Sequence, residues 1–138
     1  MFRFNISFLA ILALALNINA EILINNLIIS SEYVEIRKDL NQVIFQDKVK
    51  IDSGSLLINA NKAIYDGEKK IITVKGTPSL INSSLKDINF SGEASKIIFF
   101  DNSKIQLVGK ASMVYDNINI SSNAITFNPQ NGSISSDD

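Results

Sequence analysis

The 138-residue sequence contains no cysteine, no histidine and no tryptophan. Without cysteine the chain can form no disulfide and has no thiol chemistry. Without histidine it lacks the most frequent general base and metal ligand of proteins. The formal net charge is −1 at pH 7, so the composition gives no electrostatic argument for a nucleic-acid partner. These absences argue against an enzyme, a metal site and nucleic-acid binding.

The acidic residues do not supply a catalytic site either. Asp66 and Glu68 flank a predicted hairpin turn, and Asp137 and Asp138 lie at the end of the sequence. Neither pair predicts a buried general acid and base. The sequence also lacks a glycine-rich phosphate loop, a nucleophile elbow and any metal-ligand spacing. We therefore predict that the protein is not an enzyme and has no catalytic residues, no metal ligands and no cofactor.

The N-terminal segment has the layout of a secretory signal peptide. Arg3 provides a positive charge, residues 6–16 are apolar apart from one serine, and Ala20 is a small residue at a cleavage position. An apolar run of this length is too short to cross a bilayer. We predict that residues 1–20 are a cleaved signal peptide and that the protein is exported.

The rest of the sequence alternates between apolar and polar residues. Ile118 and Ile120, for example, are separated by Asn119. Branched β-carbons suit strands, and a period of two over short segments indicates half-buried strands. Asp-Gly and Asn-Gly pairs, which are typical of tight turns, separate the runs. We predict an all-β domain over residues 21–128 and a disordered tail over residues 129–138, which have little to bury.

The most informative feature is an internal repeat. Four segments align without gaps, and their first residues are 30, 34 and 28 positions apart. They are residues 30–35 (SSEYVE), 60–65 (ANKAIY), 94–99 (ASKIIF) and 122–127 (SNAITF). A second element recurs between them as VIFQDKV, ITVKGTP and IQLVGKA, and Pro78 in the second copy predicts a bulge or an edge position. Repeats of about thirty residues stack on their neighbours. The sequence thus predicts an elongated, open two-sheet sandwich built from stacked repeats.

One face of each predicted strand supplies an inward-facing apolar set. Its members are Phe45, Val49, Ile58, Ala63, Tyr65, Val74, Phe90, Ile97, Phe99, Leu107, Met113, Ile120, Ile125 and Phe127. A closed core and an open apolar trough both need one apolar face per sheet. The pattern alone therefore leaves open whether these side chains fill the space between the sheets.

In order and repetition, the motifs resemble the OstA-like periplasmic lipopolysaccharide-transport family, which includes LptA. The family pattern is an apolar strand with a central glycine, a turn, and an apolar strand that contains alanine and ends in Tyr-Asp. Here it takes the form FQDKVKI followed by LINANKAIYD, and LVGKASM followed by INISSNAITFN. The resemblance covers residues 22–128. Asp47 stands where the pattern has glycine, and Pro78 stands where it has an apolar strand residue.

The resemblance implies a periplasmic β-jellyroll that binds lipopolysaccharide and carries it toward the outer membrane. The acyl chains of lipid A would lie in an apolar groove, and each buried methylene contributes about 0.8 kcal/mol. The residues that would line the groove are Phe45, Val49, Ile58, Tyr65, Val74, Phe90, Ile97, Phe99, Leu107, Met113, Ile120 and Phe127. The partners that the resemblance implies are an inner-membrane lipopolysaccharide-transport complex and an outer-membrane translocon.

The open ends of such a sandwich leave unpaired backbone groups, which favour strand addition by a neighbour. We expect this pairing at the first and last predicted strands, residues 22–29 and 124–128. The residues concerned are Ile22, Ile24, Leu27, Ile29, Ile125 and Phe127. A head-to-tail contact of this kind does not close, so it can build a homo-oligomer.

A second function is compatible with the same pattern. An exported structural or adhesive β-solenoid with a closed, dry core would show the same alternation and the same repeat. Lipid that co-purifies with the protein would separate the carrier from the scaffold.

Overall fold

The computed structural model describes residues 2–4, 20–87 and 89–137. Most of the predicted signal peptide, residues 1–20, lies outside these ranges, so that assignment stays a prediction. Residues 2–4 form a short strand that pairs with a later one.

Within the described residues the chain forms eleven β-strands and a single 3-10 helix at Lys38–Leu40, which confirms the all-β prediction. The strands are β1 Phe2–Phe4, β2 Ala20–Ile24, β3 Leu27–Ser31, β4 Tyr33–Arg37, β5 Gln42–Asp52, β6 Leu56–Asp66, β7 Ile71–Ser83, β8 Phe90–Phe99, β9 Ile105–Tyr115, β10 Ile118–Asn128 and β11 Ser133–Asp137. All pairings are antiparallel. From β4 onward each strand pairs with the next, β3 pairs with β2 and β5, and β1 pairs with β4. The sheet is therefore open and not closed on itself.

Each long strand bends near its middle. In β5 the register shifts between Gln46 and Val49, and β6 to β10 each shift register at a corresponding place. A bulge of this kind bends a strand, so the continuous sheet folds into two arms that face each other. Arm 1 consists of β2, β3 and residues 49–52, 56–60, 79–83, 90–94, 111–115 and 118–122. Arm 2 consists of β1, β4, β11 and residues 42–46, 62–66, 71–75, 96–99, 105–108 and 124–128. The two-sheet sandwich expected from the sequence is confirmed.

The bends explain why the sequence repeats. The small residues Ala60, Ala94 and Ser122, which begin three of the repeated segments, lie where β6, β8 and β10 change register. Asp47 and Gly109 hold the equivalent place in β5 and β9, and both have a positive φ, of 69° and 88° respectively. Asp47 thus adopts the left-handed backbone that glycine takes in the resembling pattern. The repeated motif marks the bend, where backbone freedom and small side chains are needed.

Pro78 also lies at a bend. The pairing of β7 with β8 shifts between Lys75 and Ser79, so Pro78 belongs to the irregular stretch that interrupts the ladder. Proline cannot donate a ladder hydrogen bond and is tolerated at such bulges. The predicted bulge at Pro78 is confirmed.

Replacing Gly109 with alanine should destabilise the bend of β9 by about 2–4 kcal/mol, because backbone strain and crowding add together. The residue has a φ of +88°, and an added β-carbon would lie 2.9 Å from the Oγ atom and 3.0 Å from the β-carbon of Ser95. Chemical denaturation of the wild type and the variant measures the difference in the free energy of unfolding.

Gly54 is a matched control because it has a similar φ of +93° but open space around an added β-carbon. Gly54→Ala should therefore cost only about 1–2 kcal/mol, the strain contribution. In a Ser95→Gly background, Gly109→Ala should cost no more than Gly54→Ala does. An undiminished cost in that background would contradict the crowding explanation.

The ends of the sheet differ from the expectation in two places. The first predicted strand is a hairpin of β2 and β3, whose turn residues Asn25 and Asn26 have positive φ values of 51° and 65°. Residues 133–137, expected to be disordered, form β11 on the outer side of β10. Asn131 and Gly132 provide the turn: the Ser133 N–H donates to the Asn131 Oδ1 atom, and Gly132 has a φ of +72°. Backbone pairing orders this segment although it has little apolar surface.

Candidate functional site

The space between the two arms is apolar. The buried core contains residues of both arms in one continuous cluster, with half-buried residues packed against it. Every residue of the predicted inward set belongs to this interior: Phe45, Val49, Ile58, Ala63, Val74, Phe90, Ile97, Phe99, Leu107, Met113, Ile125 and Phe127 are buried, and Tyr65 and Ile120 are half-buried against them. The alternation therefore assigned the inner faces of the strands correctly.

The two arms touch directly at several places. The rings of Phe90 in arm 1 and Phe127 in arm 2 are stacked with their centroids 4.8 Å apart. Nearer the bends, Gly92 in arm 1 faces Leu107 in arm 2, and a β-carbon added at Gly92 would lie 3.0 Å from the Leu107 Cδ2 atom. At these contacts the interior is filled by side chains.

A cavity of about 310 Å³ opens where the ends of the strands of both arms meet, on the side away from the bends. Its floor is apolar and includes Leu56 of arm 1 and Ile72, Phe99 and Ile105 of arm 2. Its rim is polar and is formed by turns of both arms. The polar rim residues are Asn25, Asn26, Ser53, Ser55, Lys70, Asp101, Ser103 and Gln130. We call this opening the mouth. An apolar floor under a polar rim suits an amphipathic molecule.

Of the predicted groove residues, Phe99 lines the mouth. Three further floor residues were not in the predicted set, namely Leu56, Ile72 and Ile105. Each lies two positions before a predicted inward residue on the same strand. Continuing the period of two to the end of each strand would have found them.

A family model described as "LptA/(LptD N-terminal domain) LPS transport protein" matches residues 28–133 of the sequence. The chain belongs to this family. It is a family of transport proteins and not of enzymes, which agrees with the lack of catalytic residues predicted above.

The structural comparison gives the same fold. The chain is similar to LptH from Pseudomonas aeruginosa, described as the LptA-homologous periplasmic component of the conserved lipopolysaccharide transport device. The match has a TM-score of 0.72 at 13% sequence identity and covers 80% of each chain. A comparison with curated proteins finds no match. The LptA-like β-jellyroll is therefore the fold of this chain.

Two further features of this LptA-like chain concern metals and membranes. In the part of the chain that the structure describes, no group of three or more histidine, cysteine, aspartate or glutamate residues is placed to hold a metal ion. No helix within residues 2–4, 20–87 and 89–137 is long and apolar enough to cross a membrane.

The predicted edge residues are divided between an end strand, β2, and the inner strands β3 and β10, and the strand addition expected there stays a prediction. Ile22, Ile24, Leu27 and Ile29 belong to the β2–β3 hairpin and pack on or in the interior. Ile125 and Phe127 lie in β10, whose outer side in arm 2 is covered by β11. Among the described residues, the strands at the ends of the sheet are β1 and β2 at one end and β11 at the other. In the part of the chain that the structure describes, residues 118–121 of β10 in arm 1 have no further strand beside them, whereas the Ser122 hydroxyl donates to the backbone oxygen of Asp137 in β11.

Proposed function

We propose that the protein is a periplasmic lipopolysaccharide-transport module that holds acyl chains of lipid A between its arms. The observation that carries the proposal is the mouth, because its apolar floor and polar rim match the two chemical halves of a lipid. Membership of a lipopolysaccharide-transport family supports the same substrate class.

The floor and the rim would act on different parts of the lipid. Phe99, Ile72 and Ile105 offer apolar surface to acyl chains, and each methylene removed from water contributes about 0.8 kcal/mol. Lys70 on the rim offers a positive charge to a phosphate group. The free energy gained by burying several methylenes would exceed the free energy lost with a few side-chain contacts between the arms.

Acyl chains that reach beyond the mouth must separate the arms. Two contacts between the arms would block the path of these chains: the Phe90–Phe127 stack and the contact of Gly92 with Leu107. We propose that the arms splay from the mouth, since the strands are continuous through the bends and are free to separate only at their other ends. The predicted groove residues would then contact lipid in this splayed form.

We further propose that partners in the membranes add strands to the ends of the sheet. The outer sides of β2 and β11 are the natural places, because within the described residues they pair with no further strand. Cleavage after Ala20 would also remove β1 and free the outer side of β4. A second copy could use the same edges, which gives the head-to-tail oligomer expected from the sequence.

Lipid analysis of the protein purified from the periplasm tests the proposal. Mass spectrometry of the extracted lipid should detect lipid A with the wild type. Phe99→Asp should carry at least about ten-fold less, because a charge on the floor must be desolvated by an acyl chain. Leu80→Asp is the matched control, since Leu80 is 41% exposed on the outer face of arm 1, and it should keep its lipid.

Circular dichroism and thermal unfolding establish that each variant is folded. If Phe99→Asp does not fold, Leu27→Asp replaces it, because Leu27 also lines the mouth but is only half-buried. A folded mouth variant that retains lipid A would overturn the assignment of the mouth. A wild type free of lipid would favour the exported scaffold with a dry core, which the filled contacts between the arms also permit.

A further inference from the structure

The outer face of arm 2 carries three lysines side by side. The strand register places Lys62 of β6 opposite Lys75 of β7, and Lys75 opposite Lys96 of β8. Residues directly opposite each other on neighbouring strands share one face of the sheet, and the strands lie about 4.8 Å apart. The three lysines therefore stand in a row across the strands, which we call the lysine ladder.

Within the described residues the ladder takes part in no ion pair. The ion pairs found there join Arg37 to Glu35 and Lys48 to Glu32, and none involves the ladder. The residues that continue the row are Gln46 on one side and Val108 on the other. Like charges directly opposite each other destabilise a sheet, so the isolated protein carries a cost that an external anion would remove.

A less polar row runs beside the ladder on the same face. It consists of Ile64 and Ile98 with Thr73 between them, which are cross-strand neighbours and are half-buried. Lysine side chains can lay their methylene stems along such a strip while their charged ends reach outward. Cations beside a partly exposed apolar strip are typical of protein surfaces that bind the interface of a membrane.

The size and the position of the ladder narrow the choice of ligand. Three strands at about 4.8 Å spacing give a row about 10 Å long, which is wider than one phosphate group. The ladder also adjoins the bends, whereas the mouth lies at the opposite ends of the strands. A lipid held in the mouth would therefore not place its own phosphate on the ladder.

From this geometry we propose that the lysine ladder docks the outer face of arm 2 on an anionic phospholipid surface. The face would lie against the headgroups, with the ladder on phosphates and the isoleucines at the headgroup level. This contact is independent of the mouth and of what the mouth carries.

Vesicle co-sedimentation tests the proposal with phosphatidylcholine vesicles that contain or lack phosphatidylglycerol. The wild type should bind only the anionic vesicles, and high salt should weaken the binding. A basic residue near an anionic surface contributes about 1 kcal/mol, which is about five-fold in affinity. The triple variant Lys62→Gln, Lys75→Gln, Lys96→Gln should therefore bind on the order of a hundred-fold more weakly. Its melting temperature should rise, because the repulsion within the row is gone.

The charge-matched control is Lys38→Gln, Lys69→Gln, Lys86→Gln, which removes three exposed lysines outside the ladder. It should lose less than about five-fold in affinity. Equal losses in the two triple variants would overturn the proposal, and so would wild-type binding that does not distinguish the vesicles. Complete displacement of the protein from the vesicles by inorganic phosphate, as expected for a site that binds one anion, would also overturn the proposal. So would binding of lipopolysaccharide micelles through the ladder without any binding to phosphatidylglycerol vesicles.

The amount of lipid A that co-purifies with the ladder variant tests the mouth separately from the ladder.

Discussion

Phe127→Ala should lower the free energy of unfolding by about 3–5 kcal/mol, the range for a large aromatic removed from a core. Phe127 is 5% exposed, stacks on Phe90 at 4.8 Å and lies 6.3 Å from the ring of Tyr115. Domains of this size are stable by only about 5–15 kcal/mol, so the loss would remove a large share of the total. Urea denaturation followed by circular dichroism measures it.

Phe100 provides the control for Phe127. Its ring lies outside the buried core, half-exposed, with the Lys104 Nζ atom 4.4 Å from its centroid. Phe100→Ala should cost about 1 kcal/mol or less. A double-mutant cycle of Phe90→Leu and Phe127→Leu should give a coupling energy of about 0.5–1.5 kcal/mol for the stacked pair. No measurable coupling would mean that the rings do not join the arms in solution.

Leu107→Ala should lower the free energy of unfolding by about 2–5 kcal/mol, because Leu107 is fully buried between the arms. The contact with Gly92 allows a sharper test than the single variant. Gly92→Ala alone should cost about 1–3 kcal/mol. The new methyl group would crowd the Leu107 Cδ2 atom at 3.0 Å, the backbone oxygen of Ser112 at 3.1 Å and the Ile81 Cγ2 atom at 3.2 Å.

The two changes together should cost clearly less than their sum. The methyl group at Gly92 would occupy part of the space that Leu107→Ala vacates, and contacting residues show coupling energies of about 0.5–3 kcal/mol. Strictly additive costs would contradict the contact between Gly92 in arm 1 and Leu107 in arm 2. Such a result would favour an interior that already stands open to lipid.

Sequence reasoning predicted the parts of the fold that depend on local pattern. Alternation placed Phe45 and Leu107 on the inner face because every second residue of a strand shares that face. The repeated segments contain the bend residues Ala94 and Gly109, but sequence reasoning took these segments for stacked units and predicted a bulge only at Pro78. Bulges and turns contain similar residues, so the sequence could not show whether a strand ends at these positions or bends and continues. It therefore could not show that both arms belong to one sheet.

The remaining differences come from long-range pairing. The segment of β11 offers Ile134 as its one large apolar residue, so its order depends on backbone hydrogen bonds to β10 that no local pattern encodes. Asn25 and Asn26 are a turn signal that an otherwise apolar stretch concealed. The lysine ladder likewise requires the register of three strands. The mouth depends on how far apart the two arms stand, and alternation contains no information on that distance.

The mid-strand bends have a consequence for the size of the molecule. Each long strand contributes one half to arm 1 and the other half to arm 2. A tandem copy of a hairpin such as β8–β9 would therefore lengthen both arms together by two strand widths, about 10 Å. The cross-section would not change, and the new hairpin would bring its own bends. The reach of such a molecule across a gap is therefore set by how many hairpins it contains, and evolution can adjust it by duplication without redesigning the interior.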